Sequence, residues 1–266
     1  MVFDKEASFE EAVITVLKQH GWDDAGGVLR YPTEQDLIDN WAKILFQNNA
    51  DIDRLNGCPL TQGEMAQVIE QIETLKTPLA LNGFINGKTV AITRDNPDDA
   101  LHLGKEVSLK IYDRQEIAAG QSRYQIAQQP VYPAKSKILN DRRGDLCLLI
   151  NGMPVIHIEL KRSGVPVSQA TGQIEKYAHE GVFTGLFRLV QIFVGMTPDE
   201  ARYFANPGAG AFNPNFYFRW EDFNNEPVCA GDKPGAGEWK RFTSTLLSIP
   251  MAHQLIGFYT VADSSD

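Results

Sequence analysis

The sequence predicts an α/β fold with a mixed central β-sheet flanked by helices, and three observations carry that expectation. Phe9, Ala12, Val13, Val16 and Leu17 recur at helical spacing near the start of the chain. Two runs of Leu, Ile and Val meet at Asn151-Gly152, a pair that tolerates the positive φ of a hairpin turn. A later run, Arg188 to Gly195, is almost continuously apolar, as in a strand covered on both faces.

In order, the first helix is expected over 8–20 with Gly21 ending it, and a second over 34–48. Thr61-Gln-Gly-Glu64 is a capping box that opens a third, running to about Leu75. Strands are expected at about 88–94, 106–112 and 122–128. Gly83-Phe-Ile-Asn-Gly87-Lys88-Thr89 imitates a phosphate-binding loop, but it is one residue too short between its glycines and precedes a strand rather than a helix. Asn86-Gly87 is therefore predicted to be a hairpin turn, and no ATP site is found. After the hairpin at 145–161 comes a helix from about Ser168, then strands at 188–195 and 201–205. Loops follow at 206–215 and 229–237, and short helices at 238–248 and 250–256 close the chain.

The hairpin carries the chemistry. Alternation on its second strand sends Ile156, Ile158 and Leu160 to the core and His157, Glu159 and Lys161 to the other face. Asp145 joins Glu159 on that face only if paired residue numbers sum to an even value, whereas a two-residue Asn151-Gly152 loop gives an odd sum. The expectation is a three-residue loop closed by a Gly bulge at Gly152, or a bulge elsewhere in the hairpin. Two carboxylates on adjacent strands suit a hard cation such as Mg²⁺, with Mn²⁺ as substitute, and Lys161 can reach a water or a phosphoryl oxygen. That set points to metal-assisted phosphodiester hydrolysis. Gln173 and Tyr177, i and i+4 on the following helix, share one face.

The chain has 266 residues, 43% of them hydrophobic, enough for a single sizeable domain. Neither an apolar run of about eighteen residues nor a secretion signal is present, so a cytoplasmic protein with no membrane partner is expected. Cys58, Cys147 and Cys229 are too few and too scattered for a zinc ribbon or a disulfide framework. No two of the five histidines stand at metal-ligand spacing; His157 alone shares the Glu159 face, and a structural role is expected for it. The net charge of −9 argues against strong autonomous DNA binding. Lys135, Lys137, Arg142 and Arg143 nevertheless precede Asp145, and Lys161, Arg162 and Lys176 surround it. Arg142, Arg143, Arg162 and Lys176 are the candidate DNA contacts.

A strand ending Glu-x-Lys followed by a helix with Gln-x-x-x-Tyr resembles the nuclease domain at the N-terminus of type I restriction enzyme R subunits, in the PD-(D/E)xK superfamily. The hairpin Asn151 to Lys161, the block Tyr203-Phe-Ala-Asn206, the segment Arg123-Tyr-Gln-Ile-Ala127 and the Gly21-Trp22 helix exit share the resemblance, which covers essentially the whole chain. It implies a restriction-endonuclease-like core in which Asp145 and Glu159 bind Mg²⁺, Lys161 assists catalysis, and Gln173 and Tyr177 support the site. The carbonyl of Leu160 is a candidate further ligand. Superfamily members often place an acid on the first helix; Glu10 or Glu11 qualifies here, and Glu11 is the candidate third ligand. Gly144 stands where the superfamily name has Pro.

The same resemblance implies a single nuclease domain over 1–266, with a helical region at about 1–80, a catalytic core at about 85–205 and closing loops and helices at 206–266. It further implies double-stranded DNA as substrate, methylation and specificity subunits as partners, and ATP used only by a motor that follows the nuclease domain. The sequence stops at Val261 to Asp266, about where that motor would begin, so a fragment of a longer subunit is expected. Two other classes stay open: a DNA-repair nuclease of the same fold, and a non-catalytic docking domain that has no need of a cation at Asp145 and Glu159.

Overall fold

A six-stranded mixed sheet forms the centre of the molecule, seen in a computed structural model that describes residues 2–23, 27–87, 89–112, 122–133, 140–234 and 236–259. The N-terminal part contains α1 (Glu6–Gln19), β1 (Leu29–Arg30), α2 (Glu34–Asn49), α3 (Gln62–Glu73) and α4 (Pro78–Asn86). The middle contains β2 (Thr89–Thr93), β3 (Glu106–Lys110), β4 (Tyr124–Gln128), β5 (Val131–Tyr132) and β6 (Arg142–Arg143). Next come β7 (Leu146–Ile150), β8 (Met153–Leu160), α5 (Val167–His179), β9 (Ile192–Met196) and β10 (Ala201–Ala205). The closing part holds β11 (Trp220–Glu221), β12 (Pro227–Val228), α6 (Glu238–Thr245) and α7 (Ile249–Gln254).

The sheet runs β1-β4-β7-β8-β9-β10, with β1/β4 and β8/β9 parallel and the other neighbours antiparallel. Parallel β8 and β9 need a crossover, and α5 supplies it, packing back onto both. Every residue of β7, β8 and β9 is buried, as expected of strands covered on both faces. The third helix opens with the expected capping box, Thr61 Oγ1 accepting from Glu64 N and Glu64 Oε2 accepting from Thr61 N.

The hairpin register resolves the loop question. Asn151 (φ 52°) and Gly152 (φ 84°) form a two-residue loop, not the three-residue loop with a bulge at Gly152. Ile150 pairs with Met153 and Leu149 with Pro154, but Leu148 pairs with Ile156. The extra residue, Val155, is a bulge within β8, the other arrangement that restores an even sum. Pro154 accounts for its place: a proline has no N–H for the ladder, so the pairing tolerates an irregularity beside it. A Cβ on Gly152 would lie 2.8 Å from Trp41 Cα, so the loop is fixed by α2 as well as by its own dihedral. Gly152→Ala is expected to cost about 2–4 kcal/mol from left-handed strain plus overpacking, measured by urea unfolding. An unchanged midpoint would contradict that packing.

Two expectations are corrected. Asn86-Gly87 is not a hairpin turn but the end of α4, with Gly87 at φ −66° as its C-cap. Thr77 Oγ1 accepts from Ala80 N, Pro78 takes the first turn, and Leu81 and Ile85 bury one face, so capping and i,i+4 burial outweigh a dipeptide turn signal. The apolar run from 188 also begins differently: Gly185–Leu189 is a 3₁₀ turn and the strand starts at Ile192. Arg188 Nη1 is anchored on Leu75 O at 2.6 Å, which ties that turn to the end of the third helix's segment.

Candidate active site

The bulge puts Asp145, the residue just before β7, across from Glu159 on β8. Asp145 Oδ2 accepts from Leu160 N at 2.6 Å, so this carboxylate also clamps the end of β8. Glu159 is fully buried, and neither of its carboxylate oxygens has a hydrogen-bond partner. Lys161 Nζ donates to Leu160 O at 2.9 Å and stands 3.6 Å from both Glu159 Oε1 and Glu6 Oε2, ion pairs longer than a hydrogen bond. The face of β8 that carries His157, Glu159 and Lys161 is thus largely covered, with Lys161 itself only 9% exposed.

Electrostatically the pair is strained. Burial raises Glu159 to about 8, and burial reinforced by the Glu159 charge raises Asp145 well above the usual carboxylate range. The buried Glu159 carboxylate, which accepts no hydrogen bond, the half-buried Asp145 carboxylate, which accepts from Leu160 N, and the Leu160 carbonyl form an all-oxygen donor set, with the Lys161 ammonium seated on that carbonyl. That chemistry fits a hard divalent cation, which keeps waters in its remaining positions. Among the described residues no three His, Cys, Asp or Glu side chains group as a metal site. The protein ligands on offer are Asp145, Glu159 and the Leu160 carbonyl.

Of the two α1 acids, Glu11 is exposed, held by Arg30 Nη1 at 3.1 Å and by Gln128. Glu10 is the buried one, bonded by Gln128 and Gln129, raised by burial, and its charge is felt at Asp145. The sequence carried the signal: Glu10 lies three and four residues before Val13 and Ile14 on the buried stripe. Glu6, one turn earlier, reaches Lys161, a contact that sequence reading missed.

Gln173 Nε2 donates to the Tyr177 hydroxyl at 2.7 Å, and that hydroxyl donates to Arg143 O at 2.7 Å. The helix pair therefore fixes the backbone two residues ahead of Asp145. Burial raises Tyr177 to about 12, keeping it a neutral donor. Arg142, Lys161, Gln169, Gln173, Lys176 and Tyr177 line a groove of about 560 Å³ over this helix. Arg142 is oriented there by Glu180, with contacts of 2.7 and 2.9 Å. Arg143 lies 5.9 Å from the Tyr31 ring, and neither it nor exposed Arg162 lines the groove. Lys135, Lys137 and residues 261–266 lie outside the described residues. The cysteines are free, and no described helix is long and apolar enough to cross a membrane.

The sequence also matches known proteins. Residues 4–211 match the family model described as the type I restriction enzyme R protein N terminus. The chain is 28% identical over all 266 residues to the type I restriction enzyme SsaAORF53P endonuclease subunit of Staphylococcus saprophyticus, covering 25% of that protein. It is 27% identical over 228 residues to the SauMSSORF170P endonuclease subunit of Staphylococcus aureus, covering 86% of this chain and 22% of that one. Against the EcoprrI endonuclease subunit of Escherichia coli the identity is 32% over 126 residues, 46% of this chain and 38% of that one. The chain spans about a quarter of the length of the first of these relatives. With a family model covering well over half its residues and a hairpin, helix and sheet arranged around Asp145 and Glu159, the chain belongs to the family of type I restriction enzyme R protein N termini.

Proposed function

We propose that this chain is the DNA-cleaving domain of a type I restriction subunit, hydrolysing phosphodiester bonds of double-stranded DNA with Mg²⁺, or Mn²⁺ in its place. The observation that carries the reading is Glu159: a fully buried carboxylate that accepts no hydrogen bond at either oxygen, opposite Asp145 and 3.6 Å from the Lys161 ammonium. A divalent cation held by Asp145, Glu159 and the Leu160 carbonyl would supply Lewis acidity toward a phosphoryl oxygen. Lys161, released from the Leu160 carbonyl, orients the attacking water and stabilises charge developing on the phosphorane oxygens. Gln173 and Tyr177 hold the Arg143 backbone, and with it Asp145. Arg142 and Lys176 attract the strand along the groove, and Glu10 adds a nearby negative charge. The matching relatives are endonuclease subunits by name, which supports the same reading.

With a net charge of −9, affinity for DNA is weak and delivery belongs to the rest of the enzyme: an ATP-driven motor, and methylation and specificity subunits that choose the site. Asp145→Ala and Lys161→Ala, placed in the assembled enzyme, are expected to abolish plasmid cleavage while leaving ATPase activity near normal. Parallel loss of ATPase would place these residues in folding or assembly instead. Cleavage by this chain alone, without ATP or other subunits, would favour a repair-type nuclease, and cleavage that survives both substitutions would favour a docking role.

A further inference from the structure

Beside the carboxylate pair lies a histidine with no part in the mechanism above. His157 and Glu159 are i and i+2 on β8, so their side chains share one face. His157 Nε2 stands 3.3 Å from Glu159 Oε2, and His157 Nδ1 is 2.8 Å from the Tyr132 hydroxyl. All three side chains are fully buried, in a cluster that includes Phe183 and Phe187. Nε2 has no hydrogen-bond partner, and neither does either Glu159 oxygen.

A neutral imidazole carries one ring proton, and its surroundings decide where. Once a cation holds Glu159 ionised, a lone pair on Nε2 would face a carboxylate, and a proton on Nδ1 would leave Tyr132 to accept and that repulsion unrelieved. The favourable arrangement has Tyr132 donating to Nδ1 and the remaining proton on Nε2, 3.3 Å from Glu159 Oε2, where a small turn of the carboxylate completes the hydrogen bond.

Gly144 ties this pair to the other carboxylate. A Cβ at Gly144 would lie 2.6 Å from His157 Cε1 and 2.7 Å from the Tyr132 hydroxyl oxygen. Glycine rather than proline precedes Asp145 because the Tyr132–His157 pair fills the space a larger residue would need. One packed unit thus touches the approach to Asp145 and the carboxylate of Glu159.

We propose that His157, oriented by Tyr132, is a positioning residue that aims the Glu159 carboxylate at the cation. The inference rests on the reading of Asp145 and Glu159 as a metal-dependent site. Partners that hydrogen-bond a ligating carboxylate are commonly worth about 10–100-fold in metal affinity.

Mn²⁺ binding to the 266-residue chain, followed by calorimetry, tests it alongside the Mg²⁺ dependence of cleavage in the assembled enzyme. His157→Leu removes the donor at similar volume, and binding is expected to weaken about 10–100-fold with a matching rise in the Mg²⁺ needed for half-maximal cleavage. His157→Gln returns an N–H near the Nε2 position and is expected to stay within about 3-fold of the parent. Equal impairment of the two variants, or parental affinity in His157→Leu, would overturn the proposal. Where His157→Leu does not fold, Tyr132→Phe, which removes one hydroxyl, carries the test: about 3–10-fold weaker binding is expected, and unchanged binding would overturn it. Glu159→Gln is measured in parallel, because unchanged Mn²⁺ binding there would sink the site reading itself, whatever His157 does.

Discussion

Glu159→Gln is expected to abolish DNA cleavage in the assembled enzyme and, in the same protein without metal, to raise stability. If Glu159 holds the cation as proposed, the cleavage loss should be at least ~10³-fold, since a charged ligand would give way to a neutral amide. The stability gain follows from the titration of a buried carboxyl. Glu159 titrates near 8 in the fold against an ordinary value of 4.5. Between those values the native state keeps a proton that the unfolded chain has released, so metal-free stability falls as pH rises through this window. The full cost, reached above pH 8, is on the order of 5 kcal/mol, and glutamine avoids it. Saturating Mg²⁺ should recover part of it for the parent, about 2.7 kcal/mol at a hundred times the dissociation constant, and nothing for Glu159→Gln. Thermal melts at pH 5 and pH 9, with and without Mg²⁺, measure both signs. A variant less stable than the parent at pH 9 without metal would mean that Glu159 is a structural ion-pair partner.

Arg94→Leu should have the largest structural effect, in a region remote from the carboxylate pair. The guanidinium is fully buried, with Nη1 2.7 Å from Glu64 Oε2, Nε 2.9 Å from Asp99 Oδ2 and Nη2 3.0 Å from Cys58 O. Glu64 in turn caps α3 and accepts from Asp95 N, so one arginine holds the helix start to the turn after β2. Removing it leaves buried Glu64 without its counter-charge and buried Asp99 with only the His102 ring beside it, a loss of about 3–5 kcal/mol, or roughly 10 °C in Tm. Arg94→Lys is expected to rescue little, because an ammonium cannot span both carboxylates and the carbonyl as the planar fork does. At low temperature, where the variant stays folded, Mn²⁺ binding should remain. Loss of metal binding without unfolding would show that this cluster reaches the site after all, and a Tm within about 2 °C of the parent would mean the pairs contribute little net.

Local signals in the chain were enough for the hairpin, the helix that follows it, the capping box at Thr61 and the grouping of Asp145, Glu159 and Lys161. Each rests on periodicity, turn chemistry or a capping pattern within a few residues; strand parity calls for an extra residue in the hairpin, but its place in β8 rather than at Gly152 is decided by the fold. α4 was hidden because its evidence lay partly outside the segment: Asn82 and Asn86 both donate to Ile256 O, a contact 170 residues or more away. Which α1 acid turns inward was half legible, since helical phase favours Glu10, but only packing against Gln128 and Gln129 settles it. Tyr132 beside His157 could not be read at all, because β5 reaches β8 only through the folded sheet. Residue spacing thus determined the hairpin, most of the helices and the grouping of Asp145, Glu159 and Lys161, because those depend on neighbours along the chain. Tertiary structure decided burial, and with it the proton affinity of Glu159, the clamp of Asp145 on Leu160 and the fit of Gly144 against Tyr132 and His157, because desolvation and close packing depend on residues distant in sequence.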